Sequence, residues 1–338
     1  MTARRLIAFA VVSALAFVAV PARGDKPAEA PAPKRVEPQY VDDADLLDQL
    51  VEKFGDLAKA EKCMDPTEMR KRIEKDFTYS IKATAPTEQR LDPEDVYEKI
   101  LPSVFLVGSV VKNEDGDYQD GRLATAWVLA ANGVLVTNWH VFDGAADDEH
   151  FAVMDHAGRA YPVKDILAVD RKADVAVFQV AAKNLKPLPL ATRPARVGAW
   201  VGVLGHPGDR YFTFSQGTVS RYTQTKREDG EMERWMSITA EYAYGASGSP
   251  VLDRRGAVVG MAAMTESIDY PEDEPKPLDK DEKPKDKGDD KPKGKDDKPK
   301  GKGDDKIDPP MIRESRLQMV IKLTTPAAEI RSVIEAGE

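Results

Sequence analysis

Tyr244-Gly245-Ala246-Ser247-Gly248-Ser249-Pro250 places a serine between two glycines. The β-prone residues 237–240 precede this stretch and a predicted hairpin at residues 251–260 follows it, so we expect the serine on a tight loop between strands. Such a loop can aim the N–H groups of Gly245 and Ser247 at one point, where a carbonyl oxygen becomes negative during acyl transfer. Taken alone, however, the pattern is more typical of an ordinary glycine turn.

His140 and Asp174, which lie far upstream of this loop, strengthen the interpretation of Ser247 as a hydrolytic residue. His140 stands at the end of an apolar strand in residues 133–141, so its imidazole is expected at a strand end. Asp174 directly precedes the apolar run at residues 175–177, where a carboxylate persists only if it is paired. Considered singly, such a histidine is more often structural and such an aspartate is commonly a turn residue.

Together, His140, Asp174 and Ser247 supply the groups of a hydrolytic triad in one consistent order. Serine is a weak nucleophile at neutral pH, and a neutral imidazole can take its proton and later pass it to the leaving amine. A carboxylate fixes the tautomer of that imidazole and stabilises the imidazolium. The sequence therefore predicts that these three residues form a hydrolytic site with a serine nucleophile.

The chain from residue 104 onward consists largely of short apolar runs separated by turn residues. Many short strands without helices between them favour an all-β barrel or sandwich. Besides the hairpin at residues 251–260, we predict strands at residues 104–111, 124–130, 134–137, 151–154, 161–169, 175–180, 200–204, 212–220, 235–240 and 316–323.

Four segments of the chain form a recognisable set, at residues 137–141, 170–177, 197–207 and 245–250. On these segments, the chain from about Asp92 to its C-terminus resembles the trypsin-like serine proteases of the bacterial HtrA/Deg type. The resemblance implies a mainly β fold with two six-stranded antiparallel barrels, at about residues 104–190 and 191–325, in a protease domain covering residues 91–338.

The resemblance also implies roles for the candidate site residues. His140 is the expected general base, Asp174 its orienting partner and Ser247 the nucleophile. Asp170 is the alternative acid, although the family pattern puts the carboxylate directly before the apolar strand. The N–H groups of Gly245 and Ser247 are the expected oxyanion hole, and the implied activity is that of a serine endopeptidase.

The chain departs from the family pattern at several positions. Ser249 replaces the second glycine after the nucleophile, Ala246 stands where digestive enzymes carry an acid, and Leu123-Ala124-Thr125-Ala126 replaces the usual Gly-Ser-Gly. No peptide-binding PDZ domain is expected after Leu323. These departures keep open a second interpretation, in which the fold binds peptides or partners without cleaving them.

The loop at residues 244–250 is called the nucleophile loop after the expected role of Ser247. The specificity pocket is expected beside it, with Glu241, Tyr242 and Tyr244 as candidate lining residues. Glu241 would favour a basic substrate side chain if it faced the pocket, and would have no such effect if it pointed to solvent.

Neither a metal nor a cofactor is expected. His150 and His156 lie among acidic residues, but their spacing matches no zinc motif. His206 is expected to be structural because it occurs in a Gly-His-Pro-Gly turn. The single cysteine, Cys63, excludes an intramolecular disulfide and is interpreted as a bystander thiol.

Residues 1–22 have the features of a cleaved signal peptide. Arg4-Arg5 precede an apolar run at residues 6–20, which is shorter than a membrane span. The sequence therefore favours export to the bacterial periplasm or cell envelope over an anchor, by the Sec or the twin-arginine route. Residues 23–40, rich in Pro, Ala and Lys, are the expected linker.

Residues 41–90 are predicted to form a helical segment. One helix is expected to begin after Asp42 or Asp43, and a second to run from Asp65 toward Phe77. This segment either packs on the protease domain or acts as a partner-binding or inhibitory pre-segment. Further short helices are expected after Asp92, ending near Leu101, and after Thr325-Pro326 near the C-terminus.

Residues 269–310 contain almost no apolar side chain and carry nearly balanced acidic and basic charges, which predicts a disordered insertion. The insertion is either a solvated spacer or a segment that docks on a charged envelope surface, in which case the barrels are only a scaffold. The net charge of −9 without a basic stripe disfavours nucleic acid as a partner. The expected partners are protein or peptide substrates, and the oligomeric state is left open.

Overall fold

The computed structural model describes residues 40–226, 230–269 and 317–335. The predicted signal peptide at residues 1–22, nearly all of the linker at residues 23–40 and nearly all of the insertion at residues 269–310 lie outside the described residues. Within the described ranges, no helix combines the length and the apolar character that crossing a membrane requires.

The first half of the β structure is a closed six-stranded antiparallel barrel. Its strands are ordered β1-β2-β3-β6-β5-β4 around the barrel. They are β1 (Val104–Lys112), β2 (Tyr118–Ala130), β3 (Val134–Thr137), β4 (His150–Asp155), β5 (Ala160–Asp170) and β6 (Val175–Val180).

The second half repeats this architecture in a barrel ordered β10-β11-β12-β9-β8-β7. The predicted mainly β fold of two six-stranded antiparallel barrels is therefore confirmed. The strands are β7 (Trp200–Gly205), β8 (Thr213–Lys226), β9 (Met232–Ile238), β10 (Pro250–Leu252), β11 (Val258–Asp269) and β12 (Leu317–Pro326).

Several strands are longer than predicted because their ends are polar hairpin arms. β2 begins at Tyr118 rather than residue 124, β8 continues to Lys226, and β11 continues to Asp269. These arms are largely exposed, yet their backbones are paired with β1, β9 and β12 respectively. Backbone pairing needs no apolar side chain, so the hydrophobic pattern did not reveal these extensions.

Strand β1 is buried on both faces, and two N-terminal helices contribute to its covering. Helix α1 (Asp43–Lys59) contributes Phe54 to the apolar cluster that contains Leu106. Helix α2 (Pro66–Ile73) contributes Met69 to the cluster that contains Phe105. The N-terminal helices therefore complete the core of the first barrel.

Both helices begin at the predicted aspartates, which cap them. The Asp42 carboxylate accepts a hydrogen bond from the N–H of Asp45 (3.1 Å), and Asp65 accepts one from Glu68 (3.0 Å). Both side chains satisfy an N–H group that the first helical turn leaves without a partner.

The segment at residues 41–90 is helical only as far as Ile73, so the prediction that α2 runs toward Phe77 is wrong. Phe77 instead pairs with Val169 of β5 in an isolated antiparallel bridge. The N–H groups of Tyr79 and Ile81 then donate to carbonyls at the end of helix α4 (Ala327–Ile334). An extended segment is favoured here because it supplies donors to carbonyls that a helix end leaves free.

The helices expected after Asp92 and after Thr325-Pro326 are present, but both begin without a side-chain cap. Helix α3 (Pro93–Ile100) follows Asp92, but the Asp92 carboxylate caps none of its N–H groups and lies 3.7 Å from the Arg254 guanidinium. Helix α4 begins after Pro326 without a side-chain cap, because the hydroxyl of Thr325 donates to the carbonyl of Ala173 instead.

Candidate active site

His140 lies in the short 3-10 turn Trp139–Val141 that directly follows β3. Its Nδ1 is 2.8 Å from Oδ2 of Asp174, and its Nε2 is 2.9 Å from Oγ of Ser247. An ionised carboxylate only accepts hydrogen bonds, so the pairing assigns the proton to Nδ1 and leaves Nε2 as the acceptor for the serine hydroxyl. The structure thus brings together the three side chains that the sequence singled out.

Asp174 is held in a left-handed backbone conformation, with φ of +55°, one residue before β6. Its Oδ1 accepts a hydrogen bond from the backbone N–H of His140 (3.0 Å), so both carboxylate oxygens contact this histidine. The buried side chain of Asn138 donates to the carbonyl of Asp174 (2.9 Å). The orientation of the carboxylate therefore depends on a strained turn that neighbouring side chains fix.

Thr325 supports the same turn from the second barrel. Its hydroxyl donates to the carbonyl of Ala173 (3.1 Å), and the residue is 1% exposed. Sequence reasoning missed the roles of both residues. Asn138 lies within the segment at residues 137–141, but its type and position give no sign of a contact with Asp174. Thr325 lies outside the motifs and is 152 positions from its partner.

Asp170, the alternative acid, has a different role. Its Oδ1 accepts hydrogen bonds from the N–H groups of Lys172 (3.0 Å) and Ala173 (2.8 Å), which is the arrangement of a turn residue. The structure accordingly places Asp174, and not Asp170, against His140.

The nucleophile loop requires glycine on both sides of Ser247. Gly245 has φ of +81°, and a Cβ at this position would lie 2.4 Å from the carbonyl oxygen of His206. Gly248 has φ of +86°, and a Cβ there would lie 1.9 Å from the carbonyl oxygen of Thr125. Any side chain at either position would displace the backbone that presents the serine.

Two N–H groups in this loop are available to a ligand. Those of Ala246 and Gly248 donate to the carbonyls of Ala243 (3.1 Å) and Ala262 (2.9 Å). Those of Gly245 and Ser247 donate to no acceptor among the residues that the structure describes. The second pair is therefore free to bind an oxygen atom beside the serine hydroxyl.

Thr125 belongs to the segment at residues 123–126, which stands where the family has Gly-Ser-Gly, and it hydrogen-bonds to the nucleophile loop. Its N–H donates to the carbonyl of Ser247 (2.8 Å) and its hydroxyl to the carbonyl of Gly245 (3.2 Å). Its own carbonyl accepts a hydrogen bond from the hydroxyl of Thr137 (2.7 Å). The substituted segment therefore ties the first barrel directly to the nucleophile loop.

Ser249, the other departure in the loop, is fully buried and fits because of a neighbouring glycine. A Cβ at Gly205 would lie 1.9 Å from Oγ of Ser249. The departure from glycine at position 249 is thus matched by glycine at position 205.

His206 lies beneath the nucleophile loop and is 1% exposed. Its Nδ1 accepts a hydrogen bond from the N–H of Phe212 (3.1 Å), while its Nε2 faces the Phe105 carbonyl beyond the range of a good hydrogen bond. Burial lowers the pKa of His206 to about 4, so the ring is neutral at physiological pH.

The three candidate pocket residues occupy different environments. The Glu241 side chain is 80% exposed, with its carboxylate 3.0 Å from Nζ of the buried Lys322. Tyr242 is buried, and its hydroxyl lies between the carbonyls of Leu323 (2.7 Å) and Met264 (3.1 Å). Tyr244 is 73% exposed. The Lys322 ammonium at this place could not be predicted, because an isolated lysine in a predicted strand has no distinguishing pattern.

Cys63 is half-buried, and burial raises the pKa of its thiol to about 11. The thiol is therefore protonated and a weak nucleophile at neutral pH. Across the described ranges, no three His, Cys, Asp or Glu side chains are grouped as metal ligands would be.

Comparison with known proteins finds a matching peptidase domain and relatives among serine proteases. Residues 124–261 match the model of the trypsin-like peptidase domain. The chain is 31% identical over 176 residues to serine protease HTRA1B of Danio rerio, covering 50% of this chain and 36% of that protein. It is 29% identical over 144 residues to a probable periplasmic serine endoprotease DegP-like of Chlamydia muridarum, covering 42% of this chain and 28% of that protein.

A third relative is the mitochondrial serine protease HTRA2 of Drosophila erecta, 28% identical over 203 residues, with 56% of this chain and 47% of that protein covered. The chain therefore spans less than half the length of each of these relatives. The matches confirm the resemblance to HtrA-type serine proteases that the sequence motifs indicated.

Proposed function

We propose that this chain, whose trypsin-like peptidase domain has HtrA-type serine proteases as relatives, is a serine endopeptidase acting on protein substrates. The observation that carries the proposal is the hydrogen-bonded series from the Asp174 carboxylate through His140 to the hydroxyl of Ser247. This series is what transfer of the serine proton to the imidazole requires.

In the acylation step, Oγ of Ser247 attacks the carbonyl carbon of the scissile peptide bond while its proton moves to Nε2 of His140. The N–H groups of Gly245 and Ser247 stabilise the tetrahedral oxyanion, and Asp174 stabilises the imidazolium. When the intermediate collapses, the C–N bond breaks and His140 gives its proton to the leaving amine. An acyl-enzyme remains on Ser247.

In the deacylation step, a water molecule takes the place of the amine. His140 accepts a proton from that water as it attacks the acyl carbon, and then returns the proton to Oγ of Ser247. The second product leaves as a carboxylic acid, and the hydroxyl is restored. Every proton moved in the two steps passes through Nε2 of His140.

We propose that Glu241, Tyr242 and Tyr244 form part of the wall of the specificity pocket. Because the carboxylate of Glu241 is paired with Lys322, we expect from it no strong preference for basic substrate side chains. The attraction of a basic substrate side chain to the Glu241 carboxylate is largely offset by its repulsion from the adjacent Lys322 ammonium.

The alternative function, a protease-like module that binds without cleaving, is supported less well. It rested on the altered segment at residues 123–126 and on Ser249. Thr125 in that segment hydrogen-bonds to the nucleophile loop, and Ser249 is accommodated by Gly205. Neither departure therefore disturbs the contact between His140 and Ser247.

We also propose that the protein is exported, with residues 1–22 as signal peptide, residues 23–40 as linker and residues 91–338 as protease domain. The apolar run at residues 6–20 supports export, as do the Chlamydia relatives, whose names describe them as probable periplasmic proteins.

Cleavage of casein by the purified protein tests the proposed activity. We expect the wild type to cleave casein and Ser247→Ala to lose all detectable cleavage, because no other group in the proposed mechanism forms the acyl bond. Ser267→Ala, a change of an exposed serine in β11, serves as the matched control and should keep wild-type activity. Undiminished cleavage by Ser247→Ala would refute the proposal.

A further inference from the structure

A cavity of about 370 Å³ opens between the start of α4, the β8–β9 hairpin and the loop at residues 191–194. Its volume lies within the range of small-molecule sites. Its lining includes none of His140, Asp174 and Ser247, so it is separate from the candidate active site. Apolar wall is provided by Tyr222, Trp235, Val259 and Pro326.

The charged side chains that line this cavity are mostly positive, and one of them, Arg193, has no ion-pair partner among the described residues. Arg331 donates to the carbonyls of Leu190 and Ala191 (3.0 Å each), and Arg234 lies 3.4 Å from the carboxylate of Glu329. Arg193 forms no ion pair with any residue that the structure describes. Its guanidinium is therefore available to an anion at the cavity mouth.

Residues with hydrogen-bond donors line the same space. Ala327, Ala328 and Glu329 form the first turn of α4 and line the cavity, and no side chain within the described ranges caps this turn. The N–H groups of a first helical turn attract negative charge. In addition, Trp235 is only 7% exposed and lines the cavity, yet its indole N–H has no acceptor among the described residues.

We propose that this cavity binds an organic carboxylate that carries an apolar group. The carboxylate would be held by Arg193 and the first turn of α4, and the apolar group would pack against Trp235 and Val259. A free fatty acid and the C-terminal residue of a peptide share this chemistry. The proposal concerns binding and is independent of the proposed protease activity.

Calorimetric titration of the full chain carrying Ser247→Ala tests this site without any turnover of the probes. The probes are hexanoate, hexanamide, N-acetyl-alanyl-leucine and the amide of that dipeptide. We expect at least one of the two acids to bind with a Kd of about 1 mM or tighter, and its amide to bind at least about tenfold more weakly. Tighter binding of hexanoate indicates a fatty acid as the natural ligand, and tighter binding of the dipeptide indicates a peptide terminus.

Three variants locate the binding site. Arg193→Gln should weaken binding of the acid about tenfold, whereas Arg196→Gln, an exposed charge on the same loop but outside the cavity, should leave it unchanged. Ala328→Phe, which fills the mouth from an exposed helical position, should abolish binding. The proposal is overturned if neither acid binds, if the amides bind equally well, or if affinity is unchanged in both Arg193→Gln and Ala328→Phe.

Discussion

Asp174 adopts a left-handed backbone conformation that residues other than glycine rarely take without outside support. Asn138 supports it through the carbonyl of Asp174 itself, and Thr325 through the preceding carbonyl of Ala173. Both contacts act on the backbone and leave the carboxylate oxygens free for His140. Through Thr325, the second barrel therefore contacts the turn that carries Asp174, whose carboxylate is hydrogen-bonded to His140.

We predict that Thr325→Val lowers kcat for peptide cleavage about five- to tenfold while leaving KM nearly unchanged. Losing one buried hydrogen bond, worth about 1 kcal/mol, loosens the turn that aims Asp174 at His140. Steady-state kinetics on a peptide substrate measure the effect.

Thr324→Val is the matched control for this experiment, since the Thr324 hydroxyl is equally buried but donates to the carbonyl of Met236. Both variants should lose similar stability, and only Thr325→Val should lose kcat. An equal loss of kcat in the two variants would show that Thr325 has no positioning role.

His206 makes stability depend on pH. Its folded pKa of about 4 lies below the ordinary value of 6.5, so between these values the unfolded chain binds more protons than the folded one. Stability therefore falls as the pH is lowered from 6.5 to 4, by roughly 3 kcal/mol from this group. We predict that His206→Asn removes this part of the pH dependence.

Urea unfolding of the wild type and of His206→Asn at several pH values between 4 and 8 gives the free energy of unfolding of each protein as a function of pH. The unfolding free energy of the wild type minus that of the variant should fall by roughly 3 kcal/mol between pH 8 and pH 4, whichever protein is the more stable at pH 8. Parallel profiles would mean that His206 titrates normally in the folded protein and is not buried as described.

At the scale of elements, α1 belongs to the core and is not a detachable appendage. Phe54 and Leu50 have no exposed surface and share an apolar cluster with Leu106 of β1. We predict that Phe54→Ala destabilises the protein by about 3–5 kcal/mol, because it leaves a cavity beside the first barrel. Urea denaturation gives the value.

The control for α1 is Glu52→Ala, an exposed position on the same helix, which should change stability by less than about 0.5 kcal/mol. If Phe54→Ala cost less than about 1 kcal/mol, the helix would be only loosely attached. In that case the interpretation as a partner-binding or inhibitory segment would regain support.

The elements that the sequence predicted well are those in which burial and secondary structure coincide. β3 and β6 have the predicted limits, since both are short and almost fully buried. The arm of β2 at residues 118–123 and the extended chain after Ile73 were missed. Their structure depends on backbone partners in distant segments, which leave no periodic pattern in the side chains.

In the whole molecule too, the sequence predicts features that short motifs encode and misses those that depend on contacts between distant segments. The candidate triad was identified because three short motifs occur in a characteristic order. The residues that hold those side chains in position, such as Thr125 and Thr325, lie outside the motifs or carry no signal within them. Their contacts join the two barrels, so they exist only once both barrels are folded.

The segment between β11 and β12 is expected to be dispensable for folding and for activity. Asp269 and Leu317 are paired across the two strands, so a two-residue turn can join them directly. We predict that replacing residues 270–316 by Asn-Gly preserves folding and casein cleavage.

Circular dichroism and the casein assay measure this outcome, with localisation as a third readout. A folded protein that no longer cleaves casein would contradict the prediction. If cleavage is kept but envelope association is lost, the segment docks the protein on a charged surface, and the barrels are a protease rather than only a scaffold.

Fluorophosphonate labelling followed by peptide mapping shows whether Ser247 is a nucleophile activated by His140. We expect one phosphonyl group per chain, attached to Ser247, and loss of labelling in His140→Ala although that variant remains folded. If the folded wild type were labelled at another residue, or not at all, Ser247 would not be the proposed nucleophile.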